Sequence, residues 1–335
     1  DPHYAAAFHG RGQALADLGK LSEAVADCSL AFELTPGGAA GVVDRATVLR
    51  SRAKARVGMG QPDAAVDDYD KALALFPKNL EEVAVDDASL ALAYRAAKSL
   101  VSQGRGRALI ARGEPEDALE DLTAAIELSP EGLPRALAFC DRGKGHRSWG
   151  DLQSAIADYS RAIDEEPTCA TAYCDRARTL VARGDPELAI QDYGWAVALY
   201  PEGFEKATAF FERGLTRFEQ GQLEAAIDDY GQALDLLPEG AEIASKAAAY
   251  CSRGQAFQAL GDLPAAIADY DRALTLEPGS AAAYYDRGLA RADMGELEAA
   301  IDDLTKALEL DPRHKRAYHS RGLAHKAQGD LERAI

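Results

Sequence analysis

The chain has 335 residues, of which 47% are hydrophobic and 7% aromatic, and its formal net charge at pH 7 is -18. A chain of this length can bury a sizeable core, built here mostly from Ala, Leu and Ile. No stretch approaches the roughly 18–20 uninterrupted apolar residues that cross a bilayer. A net negative field repels phosphates and releases no counterions. The composition therefore argues against membrane spans and against nucleic-acid partners.

The two ends of the chain and its cysteines bear on its origin. The first residues, DPHYAAAF, show neither a starting Met nor a signal segment, and the last, GDLERAI, stop inside a repeating pattern. From this we expect a fragment of a longer protein. An odd number of cysteines without CxxC spacing predicts reduced thiols and a cytoplasmic protein. The cysteines are Cys28, Cys140, Cys169, Cys174 and Cys251.

Prolines divide the chain into units. The shortest spacing between them, from Pro167 to Pro201, is that of a repeat of about 34 residues. When each unit is counted so that its proline is position 32, position 8 is Gly or Ala and position 27 is Ala in every complete unit. Such small residues let two helices approach closely. Position 20 is alanine throughout: Ala24, Ala65, Ala118, Ala155, Ala189, Ala226, Ala266, Ala300 and Ala334.

Each unit contains the signals for two helices and a turn. Position 15 is glycine from Gly19 to Gly329, as a left-handed residue closing the first helix requires. Capping residues such as Asp151, or a first-turn proline such as Pro62, then begin the second helix. The sequence therefore predicts helical hairpins over residues 5–38, 46–79, 99–132, 136–169, 170–203, 207–240, 247–280 and 281–314, with a partial ninth unit over 315–335.

This pattern resembles the tetratricopeptide repeat family, whose unit has a large residue at position 4, small residues at 8, 20 and 27, an aromatic at 24 and Pro at 32. The seventh unit reads Tyr250, Gly254, Ala266, Tyr270, Ala273 and Pro278. Local departures are Ser102 at position 4 of the third unit and Cys28 at position 24 of the first. The resemblance covers nearly the whole chain. It implies a single all-α, right-handed α-solenoid whose first helices line a groove for an extended peptide or partner helix.

Extra residues precede several units and predict longer first helices. The segment before and within the third unit has no proline and apolar residues at helical spacing, so we expect one helix from about Glu82 to Arg112. Extensions of one or two turns are expected near Ala40, Leu133, Phe204 and Ala241.

An arginine at position 7 and an aspartate at position 23 recur with the same regularity. Position 7 lies about 100° around the helix from the packed positions 1, 4, 8 and 11, on the side away from the groove. We expect each guanidinium to bind a carboxylate within or between hairpins. The arginines are Arg11, Arg52, Arg105, Arg142, Arg176, Arg213, Arg253, Arg287 and Arg321, and the aspartates are Asp27, Asp68, Asp121, Asp158, Asp192, Asp229, Asp269 and Asp303.

The sequence contains no catalytic constellation. Its six histidines lack HExxH spacing, and the glycine-rich stretches from Gly37 and Gly104 neither follow a strand nor precede Lys-Ser/Thr. We therefore expect no enzymatic activity, metal or cofactor.

Positions 2, 5, 9 and 12 lie about 90° to the other side of the packed face and define the expected groove. Cations are predicted there in the second to fifth units, and apolar residues in the sixth and eighth. An acidic segment or terminal carboxylate would bind the cations, and apolar side chains the rest. The alternative is that the cations are surface residues paired with nearby Asp and Glu. The groove residues are Arg50, Lys54, Arg107, Lys144, Arg147, Arg178, Phe211, Leu215, Phe218, Tyr285 and Leu289.

Three classes of function remain open. The first is a protein-interaction scaffold that binds a protein or peptide, and the second is the regulatory or substrate-recruiting arm of a larger enzyme. The third is self-assembly, because the apolar face around Leu323, Leu331 and Ile335 predicts end-to-end contacts.

Overall fold

The structure, a computed structural model, describes residues 2–38, 41–237 and 243–334, and its regular elements in these ranges are α-helices. They are α1 (Pro2–Asp17), α2 (Leu21–Leu34), α3 (Val42–Gly58), α4 (Pro62–Leu73), α5 (Leu80–Asp86), α6 (Ala88–Arg112), α7 (Pro115–Leu128), α8 (Leu133–Trp149), α9 (Leu152–Glu165), α10 (Ala170–Arg183), α11 (Pro186–Leu199), α12 (Phe204–Glu219), α13 (Leu223–Leu236), α14 (Ile243–Leu260), α15 (Leu263–Leu276), α16 (Ala281–Asp293), α17 (Leu297–Leu310) and α18 (Lys315–Gln328).

The helices form two compact halves, Asp1–Arg183 and Gly184–Ile335, which are called unit 1 and unit 2 below. The repeats keep their ordinal names, from the first unit to the ninth. In unit 1, α1 packs on α2, α3 on α4, α6 on α7 and α8 on α9, and α10 packs on α9. In unit 2, α12 packs on α13, α14 on α15 and α16 on α17, with α11 against α12 and α18 against α17. Within each unit the first helices of successive hairpins also contact one another. Each unit is therefore a stack of helical hairpins, as the repeat pattern predicts. Their arrangement as one solenoid stays a prediction.

Glycine at position 15 ends each first helix in the left-handed conformation. Its φ lies between +70° and +95° in all nine units, where an L side chain is strained. The sequence prediction for this turn is confirmed.

Small residues bring the two helices of a hairpin into contact. The alanines at position 20 are 0% exposed in the eight complete units. At position 8, a Cβ placed on Gly143 would lie 2.7 Å from Cε1 of Tyr159, the buried aromatic at position 24 of the same hairpin. The Tyr159 ring therefore leaves no room for a Cβ at Gly143 unless the ring shifts.

The arginine–aspartate prediction is confirmed in seven hairpins. The shortest nitrogen–oxygen distances are 2.6 Å for Arg11–Asp27, Arg52–Asp68, Arg213–Asp229, Arg253–Asp269 and Arg287–Asp303, 2.7 Å for Arg142–Asp158 and 3.0 Å for Arg105–Asp121. In six of them, Nε and Nη2 donate to the two carboxylate oxygens; in Arg105, Nη1 donates to both. The contact joins α-helices of one hairpin.

The same arginines also reach the preceding hairpin. Nη1 of Arg52 donates to Ser29 at 3.0 Å, and Nη1 of Arg142 donates to Thr123 at 3.1 Å. Nη1 of Arg287 donates to Asp271 at 2.6 Å. The acceptors occupy position 25 of the previous unit, so one guanidinium links three helices.

A second cation joins some of these pairs, which the sequence analysis did not predict. Arg56, Arg217 and Arg291, all at position 11, each lie 2.8 Å from the position-23 carboxylate of their own hairpin. Because they occur in only some units, the pattern gave no regular signal.

The prediction of one helix from about Glu82 to Arg112 is wrong. Asp87 has extended backbone angles (φ -150°, ψ 96°) and its side chain accepts a hydrogen bond from the Leu90 amide at 2.9 Å. Aspartate is a strong N-cap residue, so it ends α5 and begins α6. The predicted extensions at Leu133 and Phe204 are confirmed as the first residues of α8 and α12, whereas Ala40 and Ala241 lie outside the described residues.

Two expectations from composition concern membranes and thiols. None of the helices in the described ranges combines the length and apolar character that would let it cross a membrane. All five cysteines are free; Cys28, Cys140, Cys169 and Cys174 are buried and Cys251 is partly buried.

Candidate functional site

The exposed surface formed by positions 2, 5, 9 and 12 of each first helix is called here the first-helix face. In unit 2, α12 places Phe211 at position 5 and Leu215 at position 9 on this face. The Phe211 ring centroid lies 5.7 Å from that of Tyr230, which holds the ring against the hairpin. Leu215 is 37% exposed. The two side chains are therefore positioned by α12 and remain accessible.

Phe211 and Leu215 line a pocket of about 510 Å³ between α12, the end of α13 and α14. Its wall is mainly apolar, with one carboxylate residue, Glu212. The other lining residues are Phe204, Ala207, Thr208, Ala233, Leu237, Ala248 and Ala249. This volume lies within the range of roughly 300–1,000 Å³ that is usual for ligand pockets.

The remaining apolar candidates lie elsewhere in unit 2. Phe218 packs with Phe211 against the buried cluster of Ala226, Tyr230 and Ala256. On α16, the Tyr285 ring lies 4.6 Å from the His314 ring, and Leu289 is half-buried. The structure thus brings Phe211 and Leu215 into one pocket and places Tyr285 and Leu289 two first helices further along.

In unit 1, three of the predicted cations are held by buried carboxylates. Arg107 Nη2 lies 2.6 Å from Asp141, and Lys144 Nζ lies 3.2 Å from Asp175. Arg178 Nη1 lies 3.0 Å from Asp175 on its own helix. Asp141 and Asp175 are each only 2% exposed. For these three cations the geometry is that of the alternative interpretation, in which surface cations are paired with nearby acids.

The other three cations have no such partner. Among the described residues, no carboxylate lies within 4.0 Å of the charged nitrogens of Arg50, Lys54 or Arg147. Arg50 and Lys54 line a small polar pocket of about 230 Å³ between α1 and α3, together with Gln13, Ser51 and the exposed Asp17, whose carboxylate lies more than 4.0 Å from both charged groups. The His9 Nε2 atom lies 2.9 Å from Ser51 Oγ beside it. Arg50 and Lys54 are therefore adjacent cations of this face that form no ion pair with the described residues, and Asp17 is the carboxylate residue of their pocket.

A ladder of contacts along the first-helix face was missed by the sequence analysis. The side chain at position 9 of one unit binds an aspartate at position 6 of the next: Arg107 to Asp141, Lys144 to Asp175 and Gln255 to Asp286. Position 6 is acidic in only some units. The acidic residues at position 6 are therefore too irregular to form a repeat pattern, and the contacts follow only from the packing of neighbouring first helices.

Comparisons with known proteins show which family has this repeat architecture. Two family models, both described as Tetratricopeptide repeat, match residues 253–321 for one and residues 104–168, 140–193 and 174–241 for the other. Together the matched ranges cover more than half of the chain. Comparison with curated proteins returned no match.

Several solved structures are similar to this chain. The C-terminal part of a TPR repeat-containing protein from Cytophaga hutchinsonii has a TM-score of 0.58 and 16% identity, over 83% of this chain and 98% of that one. YrrB, described as a TPR protein with an unusual peptide-binding site, has a TM-score of 0.52 and 24% identity, over 61% and 98%. MamA has a TM-score of 0.47 and 26% identity, over 52% and 96%.

The first two likenesses show a shared fold, and the two family models match residues of the hairpins from α6 onward. Glycine closes the first helix, alanines pack the two helices together, and the hairpins stack. The chain therefore belongs to the tetratricopeptide repeat family.

Proposed function

We propose that this chain is a non-catalytic protein-interaction scaffold that holds an extended segment of a partner protein on its first-helix face. Tetratricopeptide repeats are generally protein-interaction modules, which supports the broad class of function. The observation that carries the proposal is the apolar pocket of about 510 Å³ in unit 2, with Phe211 and Leu215 in its wall. An aromatic-lined, partly enclosed surface of this kind is where anchors of a bound peptide gain most free energy.

Unit 1 offers a different chemistry on its first-helix face. Arg50 and Lys54 lie side by side in a polar pocket that also contains Asp17, and no carboxylate of the described residues lies within 4.0 Å of either cation. We infer that they, and Arg147 further along, bind acidic side chains or a terminal carboxylate of a partner. The ion pairs of Arg107, Lys144 and Arg178 make those three residues poorer candidates, because a ligand carboxylate would compete with Asp141 and Asp175.

The support for peptide binding comes from the residues of the first-helix face and its pocket more than from similarity to solved structures. YrrB is described as having an unusual peptide-binding site, but at 24% identity its similarity concerns the fold. The regulatory arm of a larger enzyme and a self-assembling solenoid stay alternatives. Sedimentation velocity of the purified chain over a range of concentrations tests the second of these directly.

Selection from a random peptide display library tests the proposal. We expect enriched peptides that carry an apolar residue, and a synthetic copy should bind the Leu215→Ala variant at least about tenfold more weakly than the parent chain, a typical loss for a buried interface anchor. Leu310→Ala is the matched control, because Leu310 is 40% exposed against 37% for Leu215 but lies on a second helix, α17. Equal binding by the two variants, or no enrichment, would contradict the proposal.

A further inference from the structure

The aspartates at position 6 allow a comparison of equivalent sites within one molecule. In unit 1, Asp141 accepts a hydrogen bond from Arg107 Nε at 2.8 Å, and Arg107 Nη2 lies 2.6 Å from the same carboxylate. Lys144 Nζ lies 3.2 Å from the Asp175 carboxylate. In unit 2, the equivalent aspartate is Asp286 on α16. Its position-9 neighbour on α14 is Gln255, whose Nε2 donates at 2.8 Å. The helix geometry is repeated, but the cation is replaced by a neutral amide.

Asp286 therefore lacks the charge compensation that its counterparts have. Within the described residues, no Lys or Arg nitrogen lies within 4.0 Å of its carboxylate. Burial raises the pKa of this carboxyl group, against the opposing effects of the Gln255 hydrogen bond and of the nearby His314. Burial, and second to it the negative charge of Asp286, raises the pKa of Tyr270 and of Cys251. A half-buried carboxylate with a single amide donor retains lone pairs that can accept from a further cation.

The position of Asp286 relates it to the apolar pocket. The pocket lies between α12 and α14, and Asp286 lies between α14 and α16, so the two sites flank the same helix. Neighbouring packed helices are about 8–10 Å apart, and an extended chain advances about 3.3 Å per residue. A partner segment that crosses α14 thus places side chains about three residues apart over the two sites.

We propose that unit 2 recognises a partner segment with an apolar residue and, about three residues away, a lysine or arginine: the apolar side chain enters the pocket and the basic side chain binds Asp286. The inference rests on the proposed function and adds the chemistry of the partner. Charge complementarity selects this occupant, because a cation at Asp286 completes the pairing that Arg107 and Lys144 supply in unit 1. An acidic segment would bring like charges together at the same place.

A display library of random peptides, followed by affinities of synthetic peptides, tests the inference. We expect the parent chain to enrich peptides with an apolar residue and a Lys or Arg two to four positions apart. Replacing that basic residue by norleucine should weaken binding to the parent chain about five- to tenfold and leave binding to Asp286→Asn unchanged. Gln255→Arg should likewise remove the preference, because its own guanidinium would occupy the carboxylate.

Asp293→Asn is the matched control. Asp293 lies on the same helix, is exposed and accepts a hydrogen bond from Gln258 at 3.4 Å, so this variant changes the net charge equally without touching Asp286. It should keep the full preference for the basic residue. Enriched peptides that lose affinity for Leu215→Ala but carry no basic residue, or an equal loss for the parent chain and Asp286→Asn, would overturn the inference and leave the scaffold proposal standing. If no peptide is enriched, both fail.

Discussion

The arginine at position 7 shows how one side chain type can have different energetic weight in each copy of a repeat. Arg52 is 13% exposed and its partner Asp68 is 0% exposed, whereas Arg11 is 63% exposed. Removing one member of a buried pair leaves a desolvated charge, while an exposed pair is screened by water. The planar guanidinium has the same structural role at Arg52 and at Arg11, because in both hairpins two parallel hydrogen bonds fix the angle between the two helices.

Asp286 should reduce the stability of the free chain at neutral pH. Because burial raises its pKa in the folded state, the native carboxyl holds its proton more tightly than the unfolded one. The protonated carboxyl therefore favours the folded state, and this stabilisation is complete below the ordinary pKa of 3.8. It is lost as the pH rises through the pKa of the folded state, where the carboxyl becomes a buried charge.

We expect Asp286→Asn to raise Tm by roughly 1–3 °C at pH 7.5, the range that corresponds to a change below about 1 kcal/mol in a domain of this size. The difference from the parent chain should disappear near pH 3. Thermal melts at the two pH values measure it. A lower Tm for the variant at pH 7.5 would show that the carboxylate is stabilised by its surroundings.

Stacked hairpins are held together by the third donor of the position-7 arginine, and two copies lack its acceptor. Position 25 is glycine at Gly194 and Gly231, where Arg213 and Arg253 face a bare backbone. A Cβ on Gly231 would lie 3.6 Å from Arg253 Nη1, an ordinary contact that leaves room for a hydroxyl. The chain thus contains its own test of what the inter-hairpin hydrogen bond contributes.

Gly231→Ser should stabilise unit 2 at least as much as Gly231→Ala. Serine is a poorer helix former than alanine by about 0.5 kcal/mol, but its hydroxyl can accept from Arg253, and a hydrogen bond to a charged group is worth about 1.5–3 kcal/mol when buried. Urea unfolding of the two variants gives the comparison. If alanine exceeds serine by the helix-propensity difference, no hydrogen bond has formed.

The helices were predictable where every unit repeats the same residue. Glycine at position 15 and the position-7 and position-23 pair recur without exception, so each turn and most ion pairs followed from the pattern. The break at Asp87 was missed because a single N-cap competes with good helical periodicity and leaves no repeat to average over. The contacts between positions 9 and 6 join helices that are distant in sequence, and only their packing shows that Arg107 meets Asp141.

At the scale of the whole molecule, the net charge of -18 hides an uneven distribution of uncompensated charge. On the first-helix face, the described part of unit 1 presents Arg50 and Lys54; in unit 2, Asp286 lies beside this face at position 6. Charges further than one Debye length, about 8 Å in physiological salt, are largely screened. A ligand therefore responds to the local charge of each face more than to the total, and the two units should differ in the sign of charge that they prefer.

The kinetics of binding should report this local charge. Lys144 and Arg178 are unsuitable for charge reversal, because both neutralise the buried Asp175 and their loss would disturb the fold. Lys54→Glu avoids this, since Lys54 is exposed and has no carboxylate partner among the described residues. For an acidic peptide enriched from the display library, this variant should lower the association rate constant about three- to tenfold at low salt, with little difference at high salt.

Lys71→Glu is the control for that experiment, because Lys71 is also exposed but lies on α4, the second helix of the same hairpin. It changes the net charge by the same amount and should leave the association rate constant nearly unchanged. Phe211→Ala should instead raise the dissociation rate constant of apolar peptides, since a lost anchor weakens the formed complex more than the encounter. Stopped-flow fluorescence at several salt concentrations separates the two effects. Equal association rate constants for the two lysine variants would mean that total charge, and not the first-helix face of unit 1, attracts the acidic ligand.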